Sequence, residues 1–213
     1  MVFAAVDVQY LPGGDARAAL VLAASPAFAE VAAERVVTVA GVAAYEAGSF
    51  WKRELPCLRA VLNGVPGVEL LVVDGYVDLD PNGRPGLGAH AHSAFGVPVI
   101  GVAKSRFATA THVIPVMRGA TGSTRPLYVT AIGLPAAEAA SLVRAMAGRF
   151  RLPDALRRVD ALARGHAAPR RLTAPQPGDH RRGESRPGNG RPDRHGRRMS
   201  VPLGSGGHRA KFD

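Results

Sequence analysis

The sequence predicts an α/β protein built on a mixed sheet, in which three antiparallel strands are followed by parallel strands with flanking helices. Three observations predict it. Residues 3–39 hold three apolar-rich runs separated by short Pro, Gly and Ser breaks, the signature of an antiparallel meander. Beyond residue 50, stretches with helical spacing alternate with short apolar runs, as in βα units. The run Leu71-Val72-Val73 ends abruptly in Asp74-Gly75, the profile of a buried parallel strand whose exit carries an acid.

Taken in order, Phe3 to Tyr10 reads as the first strand and Pro12-Gly13-Gly14-Asp15 as a turn. Arg17 to Ala24 reads as a second strand, although its alanines also suit a helix, and Val31 to Val39 as a third. Ala40 to Phe50 reads as a loop. From Trp51 to Leu62 the apolar residues Leu55, Leu58, Val61 and Leu62 recur at helical spacing, with Glu54 near the start. Pro56 is expected in the first turn, where amides lack intrahelical partners. Val68 to Val73 forms the fourth strand, 78–86 a polar Pro/Gly loop and Leu87 to Phe95 a short helix. Pro98 to Ala103 is a fifth strand ending at Lys104. Thr109 to Thr124 reads as irregular, Leu127 to Ile132 as a sixth strand, Pro135 to Phe150 as a helix and Pro153 to Arg164 as a last helix. This order matches the ribonuclease H-like fold, and the pattern is shared by other mixed α/β folds.

The formal net charge of +10 is unevenly placed: residues 166–213 hold 11 Lys/Arg against 4 Asp/Glu, and residues 1–165 hold 16 against 13. After Gly165, Pro, Gly, Arg, His and Ser dominate, so the reading is one domain over 1–165 followed by a basic tail over 166–213. That tail is too poor in apolar residues to offset its ordering entropy and reads as disordered. Its arginines suit salt-dependent, nonspecific contact with nucleic acid. No charge-free run of about 18 apolar residues occurs, so no membrane partner is expected. The first seven residues lack the basic flank of a signal peptide. One cysteine, Cys57, excludes an internal disulfide and a cysteine-built zinc site, fits a reducing cytoplasm, and reads as a small buried apolar residue. A monomer is expected.

The acids carry the chemistry. In this topology Asp7 lies mid-strand, Asp74 ends the neighbouring strand, Glu54 leans in from the helix between, and Asp160 on the last helix is a fourth carboxylate. Such acids repel and raise one another's pKa, a cost that a hard divalent cation relieves by taking oxygen ligands. Two such ions can activate water and stabilise a leaving oxygen in phosphodiester hydrolysis. Lys104, at the exit of the fifth strand, is placed to offset phosphate charge. Each residue also has a plainer reading: Asp74 as a cap, Asp160 paired with Arg157 or Arg164 on its own helix, Lys104 as a solvated lysine. His90 reads equally as a nucleic-acid contact, a loop organiser or a helix-start histidine bonded to backbone. His92 points elsewhere. Asp78 and Asp80 read as solvated turn acids. Gly75 and Gly101 allow close backbone approach near the site.

These residues resemble the endonuclease V family. The matching pieces are Val6-Asp7-Val8-Gln9-Tyr10, Tyr45 followed by Gly48, Arg53-Glu54-Leu55-Pro56, Val73-Asp74-Gly75, Gly88-Ala89-His90, Ile100-Gly101-Val102-Ala103-Lys104, and Phe150-Arg151-Leu152-Pro153 through Arg157-Arg158-Val159-Asp160. They stand in family order over residues 2–165. The resemblance implies a ribonuclease H-like fold and Mg²⁺-dependent (alternatively Mn²⁺-dependent) cleavage of nucleic acid on the 3′ side of a deaminated purine. The partners it implies are DNA with deoxyinosine, or RNA with inosine, in a DNA-repair role. It makes Asp7, Glu54, Asp74 and Asp160 metal-binding acids, with Asp7, Glu54, Asp74 and Lys104 catalytic. Tyr45 corresponds to the ring of a strand-separating wedge, and Tyr45, His90 and Gly75 are the expected substrate contacts. Where the family wedge reads Pro-Tyr-Ile/Val-Pro-Gly, this chain reads Ala44-Tyr45-Glu46-Ala47-Gly48. A family Gly-His-Arg motif appears as Gly133-Leu134-Pro135. A related nuclease of other specificity and a nucleic-acid binding protein that does not cut remain the alternatives.

Overall fold

The computed structural model describes residues 1–44, 46, 49–119 and 125–170. The chain divides into two compact units, Met1–Ala174 and Pro175–Asp213, and the second lies outside the described residues. Seven strands form one sheet: β1 (Val2–Tyr10), β2 (Ala16–Ala23), β3 (Val31–Val39), β4 (Val68–Asp74), β5 (Val99–Ala103), β6 (Ile114–Val116) and β7 (Leu127–Ile132). Among the described residues four helices flank it: α1 (Trp51–Leu62), α2 (Leu87–Phe95), α3 (Ala136–Ala145) and α4 (Asp154–Ala163).

The strand order is β3-β2-β1-β4-β5-β7-β6. The meander β1–β3 is antiparallel, and β1, β4 and β5 run parallel, so the mixed sheet is as the sequence predicts. Beyond β5 the sheet turns antiparallel again, through β7 and then β6. β6 lies inside the stretch expected to be irregular. Three residues, one of them Pro115, are too few for strand alternation to register in a sequence.

Two apolar layers bury the sheet. On one face Ala5, Val72, Ile100 and Val102 pack against α3 and α4 through Ala139, Val143, Leu156 and Val159. On the other, Val6, Val8, Leu71 and Val73 pack against α1 and α2 through Cys57, Leu58, Val61 and Ala91. Alternate strand residues therefore serve opposite layers.

Two helices differ from expectation. Pro56 is the sixth residue of α1, beyond the first turn, and the amide it lacks would have served the carbonyl of the exposed Lys52, which water can reach. The helix expected over 135–150 stops at Ala145. The Ala147 amide donates instead to the Ala27 carbonyl at 2.7 Å, and Gly148 turns with φ 112°. The side chain of Arg118 donates to the Met146 carbonyl and, at 3.2 Å, to that of Gly148.

The described chain continues past 165 to Arg170. The guanidinium of Arg158 on α4 holds both carboxylate oxygens of Glu34 on β3, at 2.6 and 2.7 Å, and donates to the Ala168 carbonyl at 2.8 Å. The Arg170 amide donates to the same Glu34 at 2.6 Å. Among the described residues no helix is long and apolar enough to cross a membrane.

Candidate active site

Strand parity assembles the site. Asp7 shares its face of β1 with Ala5, and Asp74 shares its face of β4 with Val72. Lys104, directly after β5, continues the parity of Ile100 and Val102. All three therefore face α4, which carries Asp160. The β1/β4 register pairs Val6 with Val73 and so sets Asp7 beside Asp74. The Lys104 ammonium lies 2.6 Å from Asp74 Oδ2 and 3.8 Å from Asp160 Oδ1. Asp160 also accepts from Arg164 Nε at 2.9 Å, so the plainer pairing on its own helix is present as well.

Charge in this cluster is poised. Burial, then the neighbouring Asp74 and Asp160, push the Asp7 carboxyl up to about 7; Lys104 and a 2.9 Å bond from the Val8 amide pull against that rise. Partial burial weakens the Lys104 ammonium, but Asp74, Asp7 and Asp160 together hold its pKa above the ordinary lysine value. The lysine stays charged and acts as the acids' counter-ion.

The loop after β4 is pinned close behind. Gly75 adopts φ 136°, a conformation that side-chain-bearing residues rarely take, and its amide donates to the Val102 carbonyl at 3.1 Å. A Cβ on Gly101 would lie 2.7 Å from the Gly75 carbonyl oxygen and 2.7 Å from Thr130 Oγ1, so only glycine fits there. Thr130 in turn accepts from the Val77 amide at 2.8 Å.

Glu54 is placed differently. It is buried, 6% exposed, on α1 across the sheet from α4, and accepts a hydrogen bond from the Tyr10 hydroxyl at 3.3 Å. Tyr10 ends β1 on the α1 face, with the Arg53 guanidinium 3.8 Å above its ring and Phe50 edge-on at 6.1 Å. Burial and Glu54 both raise the Tyr10 pKa, so the hydroxyl remains a donor. The structure thus brings Asp7, Asp74, Asp160 and Lys104 together, and sets Glu54 in an aromatic pocket at the end of β1.

His90 stacks on Trp51, with ring centroids 3.9 Å apart at 21°, and this contact ties the start of α2 to the start of α1. Burial lowers its pKa. His92 instead bonds the Val97 carbonyl through Nδ1 at 2.7 Å. Asp80 accepts from the amides of Asn82 and Arg84, as a turn acid does. Cys57 is fully buried, as expected. Tyr45 lies outside the described residues. Its neighbour Glu46 is paired with Lys52 at 2.8 Å, which neutralises the acid that departs from the wedge pattern.

Among the described residues no three acids, histidines or cysteines gather closely enough to enclose a metal ion. The donor chemistry nevertheless suits a hard divalent cation: three carboxylates converge, one with a raised pKa, and an ammonium now supplies the positive charge between two of them.

Two residues stood in the matching sequence pieces with no role assigned to them. Tyr10 was legible in principle, because its parity on β1 points it at the helix bearing Glu54. Arg151 was not: its guanidinium reaches the backbone carbonyl of Lys104, 47 positions away, and donates to that of Pro126 at 2.8 Å.

The sequence pattern of the endonuclease V family matches residues 1–161. The chain belongs to the endonuclease V family. An endonuclease V from Streptomyces coelicolor is 34% identical over 181 residues, covering 75% of this chain and 76% of that protein. The crystal structure of endonuclease V from Streptomyces avermitilis superposes with a TM-score of 0.66 at 28% identity, over 78% of this chain and 81% of that one. An endonuclease V from Ciona intestinalis, crystallised with a 23mer DNA containing an inosine followed by a ribo-adenosine, has the same fold (TM-score 0.64, 17% identity, 78% of this chain and 84% of that one). These kin are nucleases, and the chain is of their enzyme class.

Proposed function

We propose that the protein is a Mg²⁺-dependent endonuclease of DNA repair that cuts nucleic acid on the 3′ side of a deaminated purine, hypoxanthine in deoxyinosine or inosine. The observation that carries this reading is the convergence of Asp7, Asp74 and Asp160 on Lys104, in a chain of the endonuclease V family. The inosine-bearing DNA held by the Ciona protein supports the substrate.

Asp7, Asp74, Asp160 and Glu54 would be the oxygen donors for the cation, with Mn²⁺ as an alternative ion. When bound, it neutralises phosphate charge and makes a water easier to deprotonate. Burial and the neighbouring acids favour a proton on Asp7, and a bound cation would favour its ionised form instead. Lys104 turns its ammonium to the scissile phosphate and stabilises the charge that builds as the water oxygen adds to phosphorus and the bond to the 3′ oxygen breaks. The products are a 3′-hydroxyl and a 5′-phosphate. Gly75, with no side chain, lets the base come close to the main chain, and His90, stacked on Trp51, is a further contact for the substrate. Tyr45 fills the gap left by the displaced base. On this reading the enzyme is a monomer, and its single, buried thiol suits a reducing cytoplasm.

The test is incubation with Mg²⁺ and a labelled strand bearing one hypoxanthine, with the cut mapped, beside a strand without it. A single nick on the 3′ side of the lesion is expected. Equal cutting of both strands points to another specificity, and binding without cutting points to a recognition protein. Asp74→Ala is expected to abolish nicking while thermal unfolding stays within a few degrees of wild type; full activity in that variant sinks the site assignment.

A further inference from the structure

Phe150 is one of a few large apolar side chains exposed to solvent, at 37%. Its ring is flanked by two guanidiniums, with Arg157 4.2 Å and Arg149 5.0 Å from the centroid. Arginine stacked on a ring keeps its N–H donors free at the plane's edge, and the ring's place is fixed without a wall of apolar neighbours. The next residue, Arg151, is the one that grips the Lys104 carbonyl, and it lies close enough to Arg125 for the two charges to repel. Arg157 stands three residues before Asp160 on α4, about 4.5 Å along the helix axis and on a neighbouring part of its surface. The patch therefore adjoins the carboxylate cluster.

The chemistry selects the partner. An exposed ring between arginines matches a polymer that is both anionic and flat-faced, which describes a nucleic-acid strand: phosphates for the guanidiniums, a base for the ring. Asp154 lies 3.5 Å from Arg157 in an exposed pair, a weak contact that a phosphate displaces readily.

We infer that Arg149, Phe150 and Arg157 form a second contact for the nucleic-acid strand, beside the carboxylate site on the α4 side, with a guanidinium swinging off the ring to hold a flanking phosphate and a base stacking on Phe150 in its place. This rests on the nuclease reading above. It adds a hold on the strand that is indifferent to the damaged base, because every base has a face to stack.

The test is binding of the full chain to a labelled hypoxanthine-containing strand, in chelator so that nothing is cut, across a range of salt. Phe150→Ala is expected to weaken binding about tenfold. Arg157→Gln is expected to lower the slope of log affinity against log salt by about 0.7 for a single strand. Phe150→Trp, which keeps a stacking face, is expected to bind as wild type does. Wild-type affinity and slope in both Phe150→Ala and Arg157→Gln overturn the inference. So does a loss in Phe150→Ala that Phe150→Trp fails to restore, which marks a packing role. If the wild type binds and nicks while the variants match it, only this inference falls. If the wild type has no affinity for the strand, the nuclease reading falls with it.

Discussion

The two faces of the sheet hold their acids in opposite ways. On the α4 face Asp74 and Asp160 stand partly open to solvent, crowd Asp7, and are balanced by the ammonium of Lys104. On the α1 face Glu54 is buried and accepts from the Tyr10 hydroxyl, beside the ring of Phe50. The first arrangement is an electrostatic balance that an arriving cation and phosphate can redistribute. The second is a fixed hydrogen bond that holds one carboxylate in a set direction. A site that must bind, react and release has use for both: movable charge where the phosphate sits, and a rigid donor where geometry must not drift.

Lys104→Met attacks the movable half and is expected to have the largest effect here, a fall in nicking rate of about 10²- to 10³-fold at saturating Mg²⁺. A loss under tenfold removes the lysine from the chemistry. Next comes the acid balance itself. The Asp7 carboxyl titrates near 7 in the folded chain against an ordinary 3.8, so the folded state holds its proton more tightly than the unfolded one. Thermal stability in chelator should therefore fall as pH rises from about 4 to about 7 and level off above. Asp7→Asn should flatten that fall, leaving the metal-free variant more stable than wild type at pH 8. An unchanged pH profile in Asp7→Asn shows that the raised pKa belongs elsewhere. The smallest effect is expected from Tyr10→Phe, which removes one donor from the rigid half: about 1 kcal/mol of stability by chemical denaturation, and less than tenfold in rate. A Tyr10→Phe enzyme as slow as Lys104→Met erases the distinction between the faces.

How much of this was legible in the sequence follows from the range of the forces involved. The bounds of α1 and α2 are those read from periodicity, because the apolar spacing that forms a helix is local. The meander and the Asp74 strand were legible for the same reason. The end of α3 was not. The apolar spacing runs on through Met146 and Phe150, but Gly148 and a hydrogen bond from Ala147 to Ala27, over a hundred residues away, stop the helix. In the site, the nearness of Asp7 to Asp74 follows from parity and a parallel register. The turn of Tyr10 toward Glu54 follows from its parity on β1, whereas the grip of Arg151 on Lys104 depends on side-chain reach across the fold, which no local pattern encodes.

The sheet's two edges bear on how the protein behaves in a crowded solution. An open edge strand offers unpaired amides and carbonyls to any other sheet, and long flat ones seed aggregation. One edge here is β6, only three residues long with a proline at its centre, so it has little ladder to offer. The other is β3, nine residues long, and it is protected by charge. Arg35 folds back onto the carbonyls of Val61 and Asn63, and Glu34 is occupied by Arg158 and the Arg170 amide. Charged side chains therefore sit on both faces beside the β3 edge, and charge at an open edge discourages neighbouring molecules from joining sheet to sheet.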